Sequence, residues 1–72
     1  MIGVAALMIS TKILSGQEPD VCRKTLAEAL TNYQMTLLSY EVLPDQRELI
    51  VQRLQALCET GDAPVVLTLG GT

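Results

Sequence analysis

The sequence predicts an α/β fold, a three-stranded parallel sheet flanked by helices in the order β-α-β-α-β. Three observations predict it. Two apolar runs, Ile2 to Ile9 and Val65 to Leu69, show little polar alternation, the pattern of strands covered on both faces. Two stretches between them carry apolar residues at helical spacing. Helices of that length between strands imply parallel pairing through right-handed crossovers.

Ile2 to Ile9 is rich in Ile, Val, Leu and Met and reads as a central strand. The run is short, has no positive flank and precedes no small-residue cleavage pattern, so it is not read as a signal peptide. Ser10 to Pro19 reads as a loop. Asp20 is placed as the N-cap of the first helix, because its carboxylate can accept from the free N–H groups of the first turn. That helix spans Val21 to about Asn32, with Val21/Cys22, Leu26, Ala29/Leu30 and Tyr33 on its apolar side. Thr36 to Leu43 alternates, with Leu38, Tyr40 and Val42 on one face and Ser39 and Glu41 on the other, which suits a strand nearer the sheet edge. Pro44 ends it. Asp45, three residues before Glu48, forms an Asp version of the capping box. The second helix spans about Gln46 to Thr60, with Leu49/Ile50, Arg53/Leu54 and Leu57/Cys58 as its buried stripe and Gly61 as its terminator. Pro64 leads into the third strand, Val65 to Leu69, and that strand runs into Gly70-Gly71-Thr72.

Composition narrows the function. A chain of 72 residues holds one small domain, and a domain this short buries only about 60 % of its unfolded surface. The net charge of −3 argues against non-specific nucleic-acid binding. No apolar run is long enough to span a membrane, and no basic helix suits a membrane surface. Cys22 and Cys58 are too few for a disulfide framework, and with no histidine a zinc site is disfavoured. Both thiols fall in helical patterns and read as buried or half-buried, which fits a reducing, cytoplasmic compartment. Without histidine, Ser10 and Ser15 lack the base of the common nucleophilic triads. The Gly-Lys-Ser/Thr of a P-loop and the Gly-x-Gly-x-x-Gly of a dinucleotide fold are both missing.

Parallel strands place their following loops at one edge, where ligands of open α/β sheets bind. Ser10-Thr11-Lys12, Pro44-Asp45 and Gly70-Gly71-Thr72 are thereby brought together. The glycine segment offers N–H groups and a hydroxyl suited to a phosphate, or it simply punctuates a strand. Asp45 can hold a divalent cation, or serve only as a helix cap. Lys12, Arg23 and Lys24 can attract a phosphorylated ligand, or remain solvated surface charges. Tyr33 and Tyr40 read as packing residues with a wet hydroxyl.

Taken together, these segments resemble the molybdopterin-binding family of molybdenum cofactor biosynthesis, which includes the bacterial molybdopterin adenylyltransferases. The resemblance runs from Ile2-Gly3-Val4 into Ser10, through Ser15-Gly16 and Asp20, then Ser39-Tyr40-Glu41-Val42-Leu43-Pro44-Asp45, and closes with Val65 to Thr72. It implies the N-terminal half of a three-layer molybdopterin-binding domain, with residues 1–72 as a partial domain. It also implies binding of molybdopterin and transfer of an adenylyl group to it from ATP with Mg2+, in a homotrimer. Carried over residue by residue, Asp45 matches the family's functional aspartate and metal ligand. Ser10, Thr11, Gly70, Gly71 and Thr72 match substrate-binding positions.

Two local departures stand out. Thr11 replaces an aspartate of the usual Ser-Asp, and Val21-Cys22-Arg23 replaces x-Ser-Gly. They motivate an alternative, a pterin-binding or scaffold domain without adenylyl transfer. The family also continues with an acidic Asp-x-Thr-Pro loop and an Asn-x-Pro-Gly loop. Residues 1–72 are accordingly expected not to work alone.

Overall fold

The computed structural model describes residues 1–70. The elements are β1 (Ile2–Ile9), α1 (Thr11–Leu14), α2 (Cys22–Asn32), β2 (Met35–Leu43), α3 (Arg47–Thr60) and β3 (Val65–Gly70). The sheet is ordered β2-β1-β3 and both pairings are parallel. The α/β architecture expected from the sequence is present, with all three strands and both long helices within one residue of their expected bounds.

β1 is the core. Val4 to Ile9 are buried without interruption, and Leu30 of α2 joins them. Six consecutive buried residues need cover on both faces, because successive strand side chains point opposite ways. The crossovers supply it. The path steps from β1 to β2 and then back past β1 to β3, so two right-handed connections put α2 and α3 on opposite faces. On one face Met8 pairs with Leu69, which lines an open apolar hollow together with Val21, Cys22 and Leu26 of the α2 region. On the other, Leu7 pairs with Glu41, which Arg53 of α3 reaches.

Several expectations are corrected. The segment Ser10 to Pro19 is not all loop, since it holds the single turn α1. Ser10 caps that turn, its Oγ accepting from the Ile13 N–H at 3.2 Å. One turn is too short to show an apolar period. Leu38 does not share a face with Tyr40 and Val42. The register steps from Val4 opposite Leu37 to Ala5 opposite Ser39, leaving Leu38 as an extra residue in β2. This bulge lays Leu38 over Gly3, where a Cβ would overlap Leu38 Cδ1.

The capping box at Asp45 does not form either. α3 begins at Arg47, so Gln46 is the extended N-cap residue and makes no side-chain cap bond. Glu48 then stands at the second helical position, one short of where a capping box needs it. β3 is half-buried rather than covered on both faces, having β1 as its one strand neighbour among the described residues. The helix stripes bury less than their spacing suggests. α2 buries Leu30, while α3 buries no residue fully. Tyr33 is 76 % exposed, and both Cys22 and Cys58 are exposed rather than buried.

Candidate functional site

The carboxyl ends of the strands meet at one level, because Ile9 pairs with Leu43 on one side and Gly70 on the other. Two hydrogen bonds then join the turn after β1 to the end of β2 and the turn that follows. The Ser10 N–H donates to the Leu43 carbonyl at 2.9 Å, and the Asp45 N–H donates to Thr11 Oγ1 at 3.1 Å. A third bond, from the Gln46 N–H to the Pro44 carbonyl at 2.8 Å, closes a three-residue turn centred on Asp45. Asp45 is exposed, and its carboxylate accepts no hydrogen bond among the described residues.

Gly70 completes the edge. Its φ is 81°, and a Cβ there would lie 2.7 Å from the Ile9 carbonyl oxygen. Left-handed backbone and close approach to β1 both demand glycine. Ser10, Thr11, Asp45 and Gly70 are thus brought together as expected from the parallel topology. Gly71 and Thr72 lie outside the described residues. Ser10 Oγ is committed as an acceptor in the α1 cap but keeps its proton for donation.

α2 starts at this edge and runs to the amino edge, where the carbonyl of Gln34, two residues past its end, accepts from the Ile2 N–H at 3.2 Å. Val21 already has helical dihedrals, so Asp20 acts as the cap, its Oδ1 accepting from the Cys22 N–H at 3.1 Å. The same Oδ1 accepts from the Tyr40 hydroxyl at 3.0 Å, so that hydroxyl is not simply wet. Burial first, and then the Asp20 hydrogen bond and charge, push the Tyr40 phenol up to about 12. Arg23 stands with its guanidinium carbon 5.8 Å from the Tyr40 ring centroid, within cation–π range.

Lys12 makes only a long contact of 3.9 Å with Glu18, both side chains more than half exposed, so it behaves as a solvated charge. Arg53 forks onto both oxygens of Glu41, with Nε 2.8 Å from Oε2, and that hydrogen bond and charge raise the Arg53 pKa. This pair faces α3, beside a cavity of about 460 Å³ that Ser39 and Leu57 also line, away from the strand ends. The Tyr40–Asp20 and Glu41–Arg53 pairs escaped the sequence reading, since only a fold brings such distant partners together.

Among the described residues the edge therefore combines a free carboxylate, two hydroxyls and a glycine with left-handed backbone. Among the described residues no group of three His, Cys, Asp or Glu side chains is placed to hold a metal. One exposed carboxylate still suits Mg2+, which typically keeps several waters and binds through one or two carboxylates plus substrate phosphates. No helix among the described residues is long and apolar enough to cross a membrane.

Residues 5–72 match the family described as "Probable molybdopterin binding domain". The molybdopterin adenylyltransferases of Helicobacter pylori strains J99 and 26695 are each 32 % identical over 73 residues, covering 99 % of this chain and 42 % of theirs. The chain thus spans less than half the length of these curated relatives. The crystal structure of the molybdopterin biosynthesis enzyme MoaB from Thermus thermophilus superposes with a TM-score of 0.89 at 28 % identity, covering all of this chain and 45 % of that one. On the family match and the shared fold together, this chain belongs to the molybdopterin-binding family of molybdenum cofactor biosynthesis.

Proposed function

We propose that this chain forms part of a cytoplasmic molybdopterin adenylyltransferase. The observation that carries the reading is the convergence of Thr11, Asp45 and the Gly70 end of β3 at the carboxyl edge of the sheet. In the proposed reaction a phosphate oxygen of molybdopterin attacks the α-phosphorus of ATP. A P–O bond forms, the bond to the β-phosphate bridge breaks, and pyrophosphate leaves. Mg2+, when bound, would neutralise phosphate charge and align the leaving group. Asp45 would hold it, because its carboxylate is exposed and spent on no helix cap. The Ser10 hydroxyl would donate to a phosphate oxygen, and the bare backbone of Gly70 would let one approach the main chain.

The test is Mg-dependent pyrophosphate release from ATP and molybdopterin by the full-length gene product. Asp45→Ala should lower turnover roughly 100-fold, the scale of losing one electrostatic stabiliser, with the fold retained. Molybdopterin affinity measured by calorimetry, with no ATP turnover in the unsubstituted protein, would instead identify a binding-only member.

A further inference from the structure

We infer that Thr11 is a positioning residue whose hydroxyl joins the turns after β1 and β2 into one unit and so sets where the Asp45 carboxylate stands. What Asp45 does there rests on the adenylyl-transfer reading above; the link itself does not. Thr11 and Asp45 are 34 residues apart in sequence, yet the Asp45 N–H donates to Thr11 Oγ1 at 3.1 Å. The Ser10 N–H donates to the Leu43 carbonyl beside it, so the two segments are held at two points. The Gln46 N–H bond to the Pro44 carbonyl tightens the turn about Asp45 from the other side.

The consequence shows in α3. An aspartate just before a helix normally turns its carboxylate onto the free N–H groups of the first turn. Here the Asp45 main chain is drawn toward Thr11, and α3 begins one residue later with no side-chain cap. The helix gives up a cap, and the carboxylate is left for another partner. A valine at Thr11 would keep the shape and lose the acceptor.

The experiment compares Thr11→Val and Thr11→Ser in the 15N-labelled full-length gene product, with the β1 amides as the control that the fold is kept. Two quantities are read: hydrogen exchange at the Asp45 amide, and the shift of the Asp45 resonances on titration with MgCl2. Thr11→Val should speed Asp45 exchange about five- to tenfold, the factor one ordinary hydrogen bond supplies, and weaken the Mg2+ response by a similar factor. Thr11→Ser should restore both, a rescue that mere packing by the methyl group would not produce. Unchanged exchange in Thr11→Val, or a Thr11→Ser protein that behaves like Thr11→Val, would overturn the inference. Hydroxyl-dependent exchange with no Mg2+ response in the unsubstituted protein would uphold the link and count against the metal-holding role of Asp45.

Discussion

At Gly70 two constraints act on one backbone. The left-handed φ alone costs a non-glycine residue roughly 1–2 kcal/mol, and the Ile9 carbonyl leaves no room for a Cβ. Gly70→Ala should therefore lower stability by about 2 kcal/mol or more, read from urea unfolding, and should loosen the β3 end first. Gln34 presents the reverse case. It is the one non-glycine residue with positive φ among those described, at 60°, closing α2 before β2. Gln34→Gly should raise stability by up to about 1 kcal/mol, because glycine meets no Cβ penalty there. Tyr40 gives a pH signature. Its folded-state pKa stands at about 12 against an ordinary 10.0, so the folded protein keeps a proton that the unfolded chain releases. That contribution is complete below pH 10 and is lost as pH rises toward 12. Unfolding free energies of the unsubstituted protein and Tyr40→Phe should run parallel below pH 10 and converge above it; parallel curves throughout would refute the coupling.

Among the elements, α3 is the least well finished. Gln46 has the extended backbone of an N-cap, with φ −128° and ψ 116°, but its side chain accepts nothing. Gln46→Ser should add about 1 kcal/mol by capping the first turn, measured as a raised unfolding midpoint. The gain should survive in Thr11→Val, because the two changes act on different N–H groups. The Glu41–Arg53 fork fastens α3 to β2 through half-exposed side chains, so breaking it should matter little and less at high salt. In β2 the bulge at Leu38 depends on Gly3. Leu38 is 54 % exposed and can swing outward, so Gly3→Ala should cost less than Gly70→Ala, where the obstacle is backbone.

For the whole molecule, burial is concentrated in one strand. The accessible surface is 5058 Å², against roughly 4,400 Å² for a compact monomer of 7.8 kDa. The surplus includes apolar side chains such as Val21, Leu38 and Val51. Among the described residues, a core confined to β1 and Leu30 has little to set against about 1–2 kcal/mol of backbone entropy per ordered residue. Purified as residues 1–72, the chain should unfold with weak cooperativity and associate as concentration rises, checked by calorimetry and sedimentation. A sharp transition independent of concentration would contradict this.

Class, element order and the shared edge were legible in the sequence, since each follows from local pattern. An unbroken apolar run marks β1, helical spacing marks α2 and α3, and parallel connectivity puts Ser10, Asp45 and Gly70 at one end. The tertiary structure alone decided how that end is wired. The Thr11–Asp45 bond spans 34 residues and the Tyr40–Asp20 bond spans 20, and neither leaves a period or a motif in the sequence. The Leu38 bulge changes which face β2 presents without altering its alternation. Asp45 and Glu48 have the spacing of a cap. Whether they form one depends on where the Asp45 N–H goes, and that is set by a hydroxyl on a different loop.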